Sequence, residues 1–346
     1  MSTLRTRLSS NAPWMVLEID HASAAVEARS FASKIASRLG LGEQLSANAA
    51  IIINELTTNI LKHATGGSLL IHGGGEDLDI CATDSGPGAA DMSAWMRDGF
   101  SSAGTSGTGL GAVRRLASQF DVHSVPRRGT VVFARLSAPR DVATPGATPA
   151  VDLSRAGAAW RPMNLDDLCG DACGVFEKGD EIVCVVADGL GHGVAAGEAS
   201  RTAVATIAQA GLVEPVRLLE RAHVALKPTR GAAVAVAVIR PRDRELRFAG
   251  IGNISASIKT GSDSKSLVSV SGIVGHQVRA YQEFRYEWQP DSMLIMHSDG
   301  LTSRWTFDQL GGLATRHPAT IAAALGRDFA RERDDRCVLV VREERA

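Results

Sequence analysis

Asn54-Glu55-Leu56-Thr57-Thr58-Asn59 lies inside a helical pattern that runs from about Ser46 to Ala64. Ala49, Ile52, Ile53, Leu56 and Ile60 follow the i, i+3, i+4, i+7, i+11 spacing, so one face of this helix is apolar. Glu55, Asn59 and His63 recur at every fourth position along the margin of that face and form one stripe. Around it the sequence predicts a strand at Trp14–Ile19, a helix at Ala24–Leu39 stopped by Gly40, and strands at Ser68–His72 and Leu78–Thr83. A helix from about Leu110 to Phe120 and a strand at Thr130–Leu136 complete this half.

A polar helix margin alone is ordinary. Two glycine-rich stretches change its meaning. Asp84-Ser85-Gly86-Pro87-Gly88 follows a strand, and its glycines let the backbone pass close to a flat ligand. A carboxylate there can accept a hydrogen bond from an amino group such as adenine N6. Gly104-Thr-Ser-Gly107-Thr108-Gly109-Leu110-Gly111 enters a helix, and exposed N–H groups at such a place favour phosphate.

On these residues the segment from about Trp14 to Ser137 resembles the GHKL (histidine-kinase-like) ATPases, in the RsbW and RsbT class of bacterial anti-sigma-factor and stress-switch serine kinases. The resemblance implies a Bergerat-type α/β sandwich. It makes Glu55 the catalytic base and Asn59 the Mg²⁺ ligand. It assigns Asp84, Gly86 and Gly88 to the adenine site, and Gly107, Thr108, Gly109 and Gly111 to the phosphates of ATP. Ser85 is a departure, since these kinases often carry Arg there.

Downstream, Ala138-Pro-Arg-Asp-Val-Ala-Thr-Pro-Gly-Ala-Thr-Pro-Ala150 has three prolines and no periodicity. The expected organisation is therefore a domain at 1–137, a linker at 138–152 and a second domain at 153–346. Twelve Lys and Arg balance twelve Asp and Glu up to Ser137, and 25 face 26 after it. Neither half has the positive excess needed for nucleic acid or an anionic membrane. No apolar signal core follows Met1–Arg7, so a cytoplasmic location is expected. Cys169 and Cys173 are spaced C-x3-C with no second pair or nearby His, which argues against zinc.

The second half is rich in strands, predicted at Glu181–Ala187, Ala232–Ile239, Glu245–Gly250, Ala256–Lys259, Ser292–His297 and Cys337–Val341. Helical patterns fall at Ala195–Ala210, Pro215–Leu226 and Pro318–Ala330. Acidic residues flank the most apolar strands: Asp171, Asp188-Gly189-Leu-Gly191-His192, Ser298-Asp299-Gly300 and Asp334-Asp335. One Asp-Gly is an ordinary turn; four acidic sites at buried strand ends form a hard oxygen donor set for Mg²⁺ or Mn²⁺.

From about Ala158 to Arg342 these motifs resemble the metal-dependent protein phosphatases of the 2C fold, in the SpoIIE branch and its compact RsbX type. Thr229-Arg230-Gly231-Ala-Ala-Val, Gly250-Ile-Gly-Asn-Ile254 and Gly272-Ile-Val-Gly275 add to that likeness. The resemblance implies an α/β/β/α sandwich with two Mn²⁺ or Mg²⁺ ions. Asp188 would bridge them and carry the catalysis, with Asp171 and the Gly189 carbonyl on one ion and Asp299 and Asp334 on the other. Together the halves imply a partner-switching regulator whose substrate is a STAS-domain anti-sigma-factor antagonist or stressosome protein. A homodimer stands among the expectations, and so does an N-terminal half that binds ATP and sequesters a partner without transferring phosphate.

Overall fold

The computed structural model describes residues 4–74, 76–91, 109–138, 156–165, 167–211 and 213–343. Gly107, Thr108 and most of the expected linker lie outside these residues. The chain divides into two compact units, described in turn.

The first unit holds Ala12–Ala147 and Thr306–Ala324. Its sheet is antiparallel, in the order β2 (Trp14–Ile19), β3 (Gly67–Gly74), β4 (Asp77–Asp84), β6 (Gly129–Ser137) and β5 (Gln119–Val125). Helices α1 (Ala24–Arg38), α2 (Gly42–His63) and α3 (Gly109–Leu116) cover one face. The predicted stripe of α2 is that face: Ala49, Ile52, Ile53, Leu56 and Ile60 are all buried against Leu69, Ile71, Ile80 and Ala134. The expected helix from Leu110 to Phe120 is shorter than its pattern. It ends at Leu116, and the period-two run Phe120, Val122 belongs to β5.

The other face of this sheet is polar yet largely buried. Asp79 lies opposite both His72 and Arg135 in the ladder, and its carboxylate takes two hydrogen bonds from the Arg135 guanidinium, at 2.6 and 2.7 Å. Residues 306–324, expected from the sequence in the domain at 153–346, pack with this unit. The attachment is specific: the His317 ring stacks on Phe133 at 4.3 Å, and its backbone N–H donates to Asp121 Oδ2 at 2.7 Å.

The second unit holds residues 1–11, 148–305 and 325–346. Six strands run in the order β1 (Arg5–Ser9), β8 (Asp171–Lys178), β9 (Glu181–Gly189), β10 (Ala232–Arg240), β11 (Glu245–Ile251) and β14 (Phe284–Glu287). Five more run β13 (Asp263–Ser266), β12 (Ser255–Thr260), β15 (Met293–His297), β16 (Arg336–Arg342) and β7 (Ala156–Arg161). The sheets meet where β8 packs on β16 and β7. Helices α4 (Val194–Gln209) and α5 (Pro215–Leu226) cover the six-stranded sheet, and α6 (Pro318–Asp328) reaches the five-stranded one near Ala159 and Val338. β9 and β10 are buried on both faces, which is why they read as unbroken apolar runs.

The first strand departs from the expected boundary at 137. β1 precedes the ATPase-like sequence but pairs antiparallel with β8, Arg5 opposite Glu177 and Ser9 opposite Gly174. Leu4 and Leu8 are buried there, and Arg7 Nε donates to the buried Glu177 at 2.6 Å. Among the described residues no helix is long and apolar enough to cross a membrane.

Candidate active sites

In the first unit, α2, the end of β4, the start of α3 and β6 enclose roughly 500 Å³ of space, part of it open to solvent. Asn59 and His63 line it from α2, Asp84, Pro87 and Gly88 from the turn after β4, and Leu110, Thr130 and Val132 from α3 and β6. Asp84 Oδ1 accepts the N–H groups of Gly86 at 2.8 Å and Thr130 at 3.3 Å, which fixes the carboxylate in the cavity wall. Gly86 has no room for a side chain, because a Cβ would stand 2.9 Å from both Ala64 Cβ and the His63 carbonyl. Gly88 has φ +62°, and a Cβ on it would meet the Val125 carbonyl oxygen at 2.1 Å. Glu55 stands half-buried one turn before Asn59, outside the lining residues. Gly109 opens α3 with φ +42°, and Gly111 is buried in its first turn.

In the second unit, sheet register gathers the acids. Asp171 opens β8 and lies opposite Asp188 near the end of β9. Asp299 follows β15, and Asp334 and Asp335 precede β16, the neighbour of β15. The two members of the acidic pair do different work. Asp335 is buried and spends its oxygens on the N–H groups of Met163 (2.7 Å) and Gly170 (2.9 Å). Asp334 is half-buried, and burial together with the Asp299 charge raises its carboxyl above the usual range. Burial, then the charges of Asp299 and Asp334, push Asp188 up to about 7. Asp171 is raised well above the usual range by burial and then by Asp188. Gly189 is buried, and a Cβ there would meet the Ala196 carbonyl oxygen at 2.0 Å.

Such a cluster is costly unless cations compensate it. Asp171 Oδ2 is buried with no hydrogen-bond partner, and the side-chain ligands on offer are carboxylate oxygens, so the residues fit hard divalent ions. Among the described residues no three His, Cys, Asp or Glu side chains already stand at metal-binding separation; the donors are gathered but not closed into a cage. All five cysteines are buried free thiols.

Residues 19–136 match the histidine kinase-like ATPase domain family, and residues 178–344 match the family Stage II sporulation protein E (SpoIIE). The serine/threonine-protein kinase RsbT of Bacillus subtilis is 38% identical over 113 residues, covering 32% of this chain and 85% of RsbT. Through RsbT the first half of the chain belongs to the histidine kinase-like ATPase family, and the second half matches SpoIIE. The phosphoserine phosphatase RsbX of the same organism is 29% identical over 137 residues, 39% of this chain and 68% of RsbX. A solved structure from work on the bacterial stressosome, a modular system adapted to control secondary-messenger signalling, covers 54% of this chain and 98% of its own. Its identity is 26% and its TM-score 0.51.

Several residues of the two domains escaped the sequence reading. In the ATPase domain, Thr130 holds Asp84 through its N–H. Gly129 (φ +94°) packs so tightly that a Cβ would lie 2.0 Å from the Asp84 carbonyl oxygen. Their signal was the Gly-Thr pair opening the last strand. In the SpoIIE domain, Asn253 Nδ2 donates to Asp299 Oδ2 at 2.7 Å, and the buried Ser298 hydroxyl hydrogen-bonds Asp171 while accepting the Cys337 N–H at 3.0 Å. Both were quoted within motifs without a role.

Proposed function

We propose that this chain is a partner-switching regulator whose SpoIIE domain is a metal-dependent phosphoserine/phosphothreonine phosphatase and whose RsbT-like domain is an ATP-dependent serine/threonine kinase. The substrate we assign to both is a STAS-domain anti-sigma-factor antagonist or stressosome protein. The observation that carries the phosphatase is the buried acidic cluster, with an unpartnered Asp171 oxygen beside an Asp188 carboxyl raised to about 7. Asp188 and Asp171 would hold one side of a divalent pair, with the Gly189 carbonyl, and Asp299 and Asp334 the other. Such ions, when bound, supply Lewis-acid activation of water for in-line attack on phosphorus. Asn253 keeps Asp299 oriented, and the backbone-bound Asp335 keeps the turn before β16 in place.

In the kinase reading Asp84 would receive the adenine amino group at the cavity wall, and the Asn59 amide oxygen would be a ligand to Mg²⁺. Glu55 accepts the proton of the substrate hydroxyl. One observation favours the second reading, ATP binding without transfer: Asn59 and Asp84 line the cavity and Glu55 does not. Incubation of the full-length protein with ATP and a candidate STAS protein, followed by intact mass, separates these outcomes. Wild type with Mg²⁺-ATP adds one phosphoryl group to a serine or threonine, Glu55→Ala adds none while still binding ATP, and Mn²⁺ removes it again. Tight ATP binding with no transfer by wild type to any STAS partner would leave only the binding module. Dephosphorylation that survives chelation of all divalent ions would overturn the metal site.

A further inference from the structure

Arg230 lies outside every role assigned above. It occupies the turn between α5 and β10, and that turn is fixed from all sides. Thr229 Oγ1 donates to the Leu226 carbonyl at 2.7 Å and accepts the Gly231 N–H at 3.0 Å. Gly231 (φ +76°) is wedged where a Cβ would meet His276, Ile273 and Val274 within 2.8 Å, and its carbonyl accepts the Leu190 N–H at 3.0 Å. The ladder continues this register, Ala232 opposite Gly189 and Ala233 opposite Asp188. A rigid base thus sets Arg230 beside the loop that leaves the acidic cluster. Its exposed guanidinium reaches the exposed Gly191, where an added Cβ would stand 3.1 Å from Nη1. No carboxylate among the described residues pairs with it. Arg331, by contrast, already faces Asp334 and offsets a small part of the rise in its carboxyl.

Charge explains why a cation belongs there. Four carboxylates and two divalent ions sum to neutrality, so an arriving phosphomonoester brings about two negative charges that nothing in that set offsets. A guanidinium is the side chain suited to the paired oxygens of a phosphate. Resting on the phosphatase reading, we infer that Arg230 binds the phosphoryl oxygens of the phosphoprotein substrate at the rim of the acidic site.

The test uses full-length protein with Mn²⁺. Orthophosphate binding is measured by calorimetry, hydrolysis of a phosphoserine peptide by steady-state kinetics, and Mn²⁺ affinity by a separate titration. Arg230→Ala is expected to weaken orthophosphate and raise KM by about 10- to 100-fold, the loss of a charge-assisted contact. Its kcat and Mn²⁺ affinity stay near wild type, and Arg230→Lys recovers part of the loss. Unchanged orthophosphate affinity in Arg230→Ala overturns the assignment, as does a parallel fall in Mn²⁺ affinity or a wild type that binds no orthophosphate. A wild type that binds orthophosphate through Arg230 but hydrolyses no phosphoester sinks the phosphatase reading alone.

Discussion

Leu8→Ala tests whether β1 is a working strand of the SpoIIE domain. Leu8 is 4% exposed, so the substitution removes buried methyl groups from an edge that the domain needs. A leucine truncated in a core costs about 2–5 kcal/mol, whereas the same change on a surface strand stays within about 0.5 kcal/mol. Neighbouring contacts place the expected loss in the core range. Leu4 is part of the cluster with Ala172 and Phe176, and the Ser10 hydroxyl both donates to the Cys173 carbonyl (3.1 Å) and accepts its N–H (2.9 Å). About 2–4 kcal/mol is therefore expected, read from guanidinium unfolding of the full-length protein. Hydrogen exchange assigns the site: amides of β8 should exchange faster while those of β4 stay as they were. Arg5→Ala, with an exposed side chain in the same strand, is the control. A Leu8→Ala protein as stable as wild type, or one whose faster exchange falls on β2 and β3, would refute the assignment of this strand.

Three further outcomes follow from the same geometry. Burial raises Asp79, but Arg135 more than offsets it and holds the carboxyl below its ordinary 3.8, so its stabilisation is present above that value and lost as pH falls through the lowered one; Asp79→Asn should flatten the acid limb of an unfolding titration. With Asp188 at about 7 and Asp171 also raised, cations must displace protons, so Mn²⁺ affinity should climb between about pH 6 and 8 and release protons detectable by calorimetry in two buffers; a pH-independent affinity contradicts the cluster. Gly88→Ala should abolish binding of an ATP analogue, because its Cβ collides with the Val125 carbonyl. Gly109→Ala, with nothing within 4 Å, should retain binding at a conformational cost of about 1 kcal/mol in fluorescence titration.

What could be read from the chain was chemistry repeated at a fixed period or at strand ends. The α2 stripe put Asn59 at the margin of the buried face because 3.6-residue geometry leaves little choice once Ile52, Ile53, Leu56 and Ile60 must be buried. The acids at 171, 188, 299 and 334 were visible because strands buried on both faces are apolar without interruption, so an Asp at their ends stands out. β5 was hidden by the apolar residues of α3, which run straight into Phe120 and Val122 and mimic one longer helix. β1 was hidden for another reason. Arg-Thr-Arg-Leu-Ser has the charged alternation of an edge strand, and nothing local says which sheet receives that edge. Register across 170 residues of sequence is a tertiary property, fixed by the Arg7–Glu177 pair and by Leu4 and Leu8 finding a core.

That exchange of segments bears on how either activity can be assigned. A fragment cut at the proline-rich stretch and beginning at 153 lacks β1. The outer edge of β8 then loses its ladder, Glu177 keeps a buried carboxylate without Arg7, and Cys173 loses the Ser10 clasp two residues from Asp171. A fragment ending at 137 lacks residues 306–324, so Phe133 loses the ring of His317 and Asp121 loses its backbone donor. Removing one partner of a buried ion pair costs about 3–5 kcal/mol, a large share of the 5–15 kcal/mol that holds a typical domain folded. An inactive fragment would therefore report a broken sheet, not missing chemistry. Point substitutions in the full chain avoid the confusion, because they leave both sheets intact and Glu55 and Asp188 lie on different units. Phosphosite mapping with Glu55→Ala and Asp188→Ala can then decide whether one serine or threonine serves both domains. Different modified residues in the two experiments would mean that the halves act on separate substrates.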